Sequence, residues 1–175
     1  MTQPQNDNER VRGYLVGQAN KLSLPELVEK VRTDALPLRE AAAAIPAERL
    51  GDHPIEGEWS AAEVWTHILD MNEHGARSVP AIIARGELPE RARDTISGET
   101  RAGLKTGQQY YEVFLLRREE LLARVLQAKG DEHLDVKINH SMFGDLNWRE
   151  WLLFMRVHDL DHLGQLRKIA AALGS

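Results

Sequence analysis

Seven histidines, at 53, 67, 74, 133, 140, 158 and 162, are the residues of this chain whose type and spacing could do chemistry. His158 and His162 are four apart, so on a helix they stack on one face, with Cα atoms about 6 Å apart along the axis. The same face carries Trp151 and Met155 before them and Gln165 and Ile169 after them. His, His and Gln thus stand where a core-facing seam would carry aliphatic residues, and buried polar groups need partners. Two readings are open from the spacing: a metal held by imidazoles, or half-solvated histidines satisfied by Asp159, Asp161 or Glu150. With seven histidines in the chain, one such pair arises by chance often enough to leave both standing.

His67 adds a third ring, beside the apolar stripe Val64, Ile68 and Met71. Three imidazoles with an open position are the ligand set of a catalytic zinc ion, with water in the fourth place. Nickel, iron and manganese also accept imidazole. Alone, His67 reads equally as a core histidine bonded to a carbonyl. His74, seven residues on and on roughly the same face, is the rival ligand or a partner lining the cavity. His53 and His133 fall in or beside loops and read as exposed and inert, whereas His140 either closes over the site or orders its loop.

The elements that must position these rings are helical. Ser23 with Glu26 forms a capping box and opens a helix running toward Ile45-Pro46, kinked at Pro37. Residues 46–59, with Pro46, Gly51, Pro54 and Gly57, form a loop. A second box, Ser60 with Glu63, opens a helix toward Ile83 that ends at Gly86, with a kink or break expected at Pro80. A connection over 86–98 leads to a third helix from about Glu99 to Lys129, with its apolar pattern at Val113, Phe114, Leu116, Leu121, Leu122 and Val125. Gly103 and Gly107 would weaken its first turns by about 1 kcal/mol each. Residues 131–146 form a loop in which the stretch from Val136 to Ile138 is strand-like but too short to found a sheet, and a fourth helix of about 40 Å runs from Asn147 to Leu173. Residues 9–20 suit a further short helix, and residues 1–8 a disordered tail. Long helices with crossover-length connections describe an all-α four-helix bundle occupying residues 9–175 as one domain.

Composition narrows the function classes. The 175 residues carry 22 Lys+Arg against 27 Asp+Glu, a net charge of −5, which disfavours a nucleic-acid partner. No signal peptide is legible in MTQPQNDNER, and no run is long and apolar enough for a membrane span. A cytoplasmic location is expected. With no Cys, the chain has no thiolate ligand or thiol nucleophile of its own.

Two segments resemble the DinB-like (DinB/YfiT) metalloenzyme superfamily. One is Glu58-Trp59-Ser60-Ala61-Ala62-Glu63-Val64-Trp65-Thr66-His67-Ile68-Leu69-Asp70. The other runs from Asn139-His140-Ser141-Met142-Phe143-Gly144 through Trp151 into Val157-His158-Asp159-Leu160-Asp161-His162-Leu163-Gly164-Gln165-Leu166. The resemblance implies an up-down-down-up four-helix bundle with long crossover connections, often paired as a homodimer. It also implies a divalent metal on His67, His158 and His162, zinc or nickel first, iron or manganese next. The chain departs from the family in Ser141, where a proline often follows the histidine, and in Asn72, where many members carry an acid.

Characterised relatives implied by the resemblance are mostly transferases and isomerases that use bacillithiol, mycothiol or similar thiols on small molecules. A divalent ion lowers the pKa of a bound thiol or water, and without Cys this chain would take its thiol from a cosubstrate. Catalytic roles are not assigned by the sequence; Glu63, one turn before His67, is the candidate base of a metal-dependent hydrolase, although the capping box competes for it. Gln165 would bond a metal-bound water or cap the cavity. Asp159 and Asp161 are expected to be solvated more than to orient imidazoles, and Arg156 and Tyr111 are candidates for contact with an anionic substrate. The alternatives to an enzyme are a non-catalytic metal- or ligand-binding bundle, and histidines that bind nothing.

Overall fold

The computed structural model describes residues 4–89 and 103–174. Six helices follow one another: α1 (Pro4–Lys21), α2 (Leu24–Ala35), α3 (Leu38–Ala43), α4 (Ala61–Arg85), α5 (Gly107–Val125) and α6 (Trp148–Gly174). A two-stranded antiparallel hairpin, β1 (Ile138–His140) and β2 (Gly144–Leu146), precedes α6. None of these helices is long and apolar enough to cross a membrane.

Capping chemistry places the helix starts. Glu26 accepts from the Ser23 N–H at 2.8 Å and opens α2. Glu63 does the same for Ser60 at 2.8 Å and opens α4, while Glu150 accepts from the Asn147 N–H at 2.8 Å and opens α6. Each box satisfies a backbone donor at its helix start, and the one at Asn147 is buried. Gly86 ends α4 in the left-handed region, at φ 66°.

Several boundaries differ from expectation. α1 begins at Pro4, so helix occupies part of the stretch read as a tail. The break at Leu36-Pro37 separates α2 from α3. α4 runs unbroken through Pro80: Val79 and Ile82 are fully buried there, and their packing outweighs one missing hydrogen bond. The expected helical start over residues 99–102 lies outside the described residues, but 103–106 are not helical, and a Thr106/Gln109 capping box opens α5 at Gly107. Gly107 is no weak point in mid-helix, because a Cβ there would run into the Ala42 carbonyl of α3. Val113 and Leu116, expected in the core, face solvent. The loop before α6 contains the hairpin, which closes through Gly144 at φ 69°.

α4 packs on both α5 and α6, and α2 packs on the same two helices, completing a four-helix ring with α3 continuing α2. Two apolar clusters fill it. One joins Leu15, Leu27, Met71, Val79, Leu121, Trp151 and Met155; the other joins Leu38, Trp65, Ile68, Phe114, Leu163 and Leu166. Between them, along three of the helices, lie polar residues: His67 and Asn72 on α4, Arg118 on α5, and His158, Asp159 and His162 on α6. The core is thus two apolar masses with a polar belt between.

Candidate metal centre

The cap at Ser60 sets α4 so that His67 lies two turns in, and the Asn147 cap sets α6 so that His158 and His162 face it. His158 Nε2 stands 2.9 Å from His67 Nε2 and 3.1 Å from His162 Nε2. These are the three side chains among the described residues whose ligand atoms gather closely enough to hold an ion, all within 4.8 Å of one another. Trp59 packs its edge on the His67 ring at 5.2 Å and stacks along His162 at 6.2 Å, confining both.

Proton bookkeeping tests whether the rings fit a cation. His162 Nδ1 lies 2.6 Å from Gln165 Oε1, which can only accept, so Nδ1 carries the ring proton and His162 Nε2 presents a lone pair. His158 Nε2 has two neighbours but only one proton or one lone pair, so it cannot satisfy both. Three converging nitrogens that cannot all bond one another suit a shared ion. Titration of two of the rings agrees: burial, followed by the neighbouring His158 and His162, pushes His67 down to about 3. Burial and His158 likewise lower His162, against the opposing bond from Gln165. Neutral rings with free lone pairs are the state a metal requires.

Of the two carboxylates expected to be solvated beside the ligands, one is buried. Asp159 is 2% exposed and accepts from Arg118 Nη1 at 2.7 Å, with Nη2 at 3.4 Å. Arg118 Nε donates to Asn72 Oδ1 at 2.8 Å, and Asn72 Nδ2 donates to the Phe114 carbonyl at 3.0 Å. Burial opposes ionisation of Asp159, but the Arg118 charge and the contacts with His158 and Arg118 outweigh it and hold the carboxyl below its usual range. Its Oδ1 also lies 3.9 Å from the buried His158 Nδ1, too far for a hydrogen bond in this structure. Asp159 is therefore a sealed partner, not a solvated charge. Asp161 is exposed and lines the cleft beside the histidines.

Other candidates fall elsewhere. Glu63 accepts from Ser60 and lies 3.5 Å from His53 Nε2, so its carboxylate serves the cap and the loop, and it does not join the three rings. His53, expected to be inert, thereby ties residues 53–63 together, its Nδ1 also reaching the Glu58 carbonyl oxygen at 3.0 Å. His74 packs edge-on against Trp151 at 5.4 Å, outside the cluster. His140 does both things expected of it: Nδ1 accepts from the Met142 and Phe143 N–H groups at 3.2 and 3.3 Å, and the ring lines the cleft. Arg156 is paired with Asp34 and Tyr14, and Tyr111 is buried against Phe114, so neither is available to an anion in the cleft.

Trp59, Arg118 and Asn72 were not singled out as functional by the sequence. Arg118 had a legible signal, because it occupies the same helical face as Phe114, Leu121, Leu122 and Val125, where a charge must be paired.

All three histidines line one cleft of about 490 Å³, together with Phe154 and the tip of the hairpin. No curated protein matches the chain. A family model of the DinB superfamily matches residues 30–166, which include α3, α4, α5, parts of α2 and α6, and all three histidines. The chain belongs to the DinB superfamily.

Proposed function

We propose that His67, His158 and His162 hold one divalent ion, zinc or nickel before iron or manganese, and that the protein is a metal-dependent enzyme acting on a small molecule with a low-molecular-weight thiol as cosubstrate, in the manner of an S-transferase or isomerase. The observation that carries this reading is the convergence of three imidazole Nε2 atoms in the lining of one cleft. When bound, the ion would lower the pKa of a thiol or water and supply a nucleophile at neutral pH. The chain's own residues hold the ligand rings: Gln165 fixes the His162 tautomer, and Trp59 limits the rotation of two rings. Among the described residues no carboxylate or fourth histidine joins the three, which favours an open coordination position over a closed structural site. The capping duty of Glu63 removes it as the candidate base of a hydrolase, the alternative reading. Pairing of two chains and a cytoplasmic location belong to the same reading.

Elemental analysis of untagged protein, beside His67→Ala and His158→Ala, tests the metal. The expected result is about one divalent ion per chain, lost in both variants. No metal as purified, and none taken up from added zinc or nickel, would overturn the reading. Cobalt-substituted protein then tests the open position: an added thiol should perturb its visible spectrum, and an unchanged spectrum would mean a closed shell.

A further inference from the structure

The cleft over the histidines has four walls. α4 supplies His67 and Met71, α6 supplies Phe154 and Val157, the hairpin supplies His140 to Phe143, and α1 supplies Asn8 and Val11. α1 lies outside residues 30–166, the segment that matches the family. It is nonetheless well anchored. Leu15 and Ala19 are buried in the core, and the Arg149 guanidinium donates to the carbonyls of Ala19 and Leu22 at 3.0 and 2.5 Å. The anchored half holds the other half, with Asn8 and Val11, against the cleft.

The charge of the lining is selective. Among the described residues no lysine or arginine lines this cleft, and its one carboxylate is Asp161. The molecule does place cations in other clefts: Arg77, Arg85, Arg117 and Arg124 line one beside α4 and α5, and Lys168, paired with Glu58, lines a neighbouring one that shares Asp161 and His162 with this cleft. A phosphate or carboxylate entering the histidine cleft would therefore lose hydration with no countercharge from these walls to meet it. Val11, Met71, Met142, Phe143 and Phe154 present apolar surface instead, and Met142 is 58% exposed at the hairpin tip. Methionine side chains at a rim adapt to varied apolar shapes.

We infer that this cleft selects an uncharged, largely apolar small molecule, an aromatic or short alkyl compound, and that α1 is the wall that limits its size. The inference rests on the proposed metal site only for the end of the ligand that faces the histidines. Val11 is half-buried and packs against the core as well as lining the cleft, so cobalt content and Tm are measured beside binding to separate a loss in the cleft from a loss of fold.

The test uses full-length cobalt-substituted protein titrated with neutral thiols (ethanethiol, butanethiol, benzyl mercaptan) and with mercaptosuccinate, followed by the thiolate-to-cobalt absorption band. Affinity should rise about three- to fourfold per added methylene. Benzyl mercaptan should bind at least tenfold more tightly than mercaptosuccinate, and Val11→Asp should weaken benzyl mercaptan at least fivefold while cobalt content stays unchanged. Flat dependence on chain length, a preference for mercaptosuccinate, or an unaltered affinity for benzyl mercaptan in a folded, cobalt-loaded Val11→Asp would overturn the inference. A second arm uses metal-free protein and the neutral fluorophore N-phenyl-1-naphthylamine, so that it reads out even if no metal binds. Binding that is weakened at least fivefold by Val11→Asp supports the apolar cleft independently of the metal; absence of binding overturns it.

Discussion

His158 and Asp159 are consecutive on α6, yet they belong to two buried polar groups of opposite character. Asp159 faces α5 and enters a chain with Arg118 and Asn72 in which charge meets charge. His158 faces α4 and meets two other imidazoles, with no countercharge beside its Nε2 and with more short contacts than that nitrogen can satisfy. One residue of helical rotation, 100°, separates the two outcomes. The comparison teaches how to tell buried polarity that completes a fold from buried polarity that awaits a ligand. The first kind is internally paired and closed to solvent; the second is short of a partner and borders a cleft.

The largest effect that could break this distinction is on stability. Arg118→Met leaves the Asp159 carboxylate buried and unpaired, and should cost about 3–5 kcal/mol in urea unfolding of the metal-free protein. A loss no larger than a surface substitution would show that the pair is not sealed. His67→Ala, by contrast, should abolish metal uptake while changing metal-free stability by about 1 kcal/mol, the ordinary effect of a point mutation. Equal losses from the two variants would erase the contrast between the groups.

Acid should separate them along the pH axis. His67, held at about 3 when folded, takes up its proton near 6.5 when unfolded. The unfolded chain therefore binds more protons between those values, and stability is complete above about 6.5 and falls as pH drops toward 3. His162 is shifted in the same direction. Asp159 is also lowered on folding, so its contribution is lost only further into acid, below the usual carboxylate range. Calorimetric Tm of the metal-free protein should decline from about pH 7 to about pH 4, and His67→Asn should flatten that limb. A limb identical in the variant would remove His67 as its source. The smallest effect concerns orientation: Gln165→Leu frees the His162 ring and should weaken metal binding about 10–100-fold with little change in Tm. Unchanged affinity would mean that the ring needs no such partner.

The chain announced its helix starts and its ligand pair through short-range chemistry. Ser60 with Glu63 and Asn147 with Glu150 are contacts three residues apart, and His158 with His162 share a face by periodicity alone, so each was legible without tertiary information. Whether His67 or His74 joined them depended on the approach of α4 to α6, which no local pattern encodes. The burial of Asp159 was missed for the same reason, since its partner Arg118 is 41 residues away. The hairpin over residues 138–146 was read as loop because two three-residue strands carry too little periodicity, and Pro80 was read as a kink or a break because packing by Val79 and Ile82 is invisible in propensity.

One unbroken helix carries both the core anchors Trp151 and Met155 and the ligand pair His158 and His162. That makes the chain sharply uneven in the length changes it can tolerate. A single residue inserted between Met155 and His158 would leave α6 helical but turn both ligand rings by about 100° and move them about 1.5 Å, away from His67. The same insertion among residues 131–135, between α5 and the hairpin, would disturb the Trp148 bond to the Glu132 carbonyl and the packing of Leu134 but leave the ligand spacing along α6 unchanged. Insertions and deletions compatible with the site are confined to such joints, and the spacing from Trp151 to Gln165 is a fixed measure.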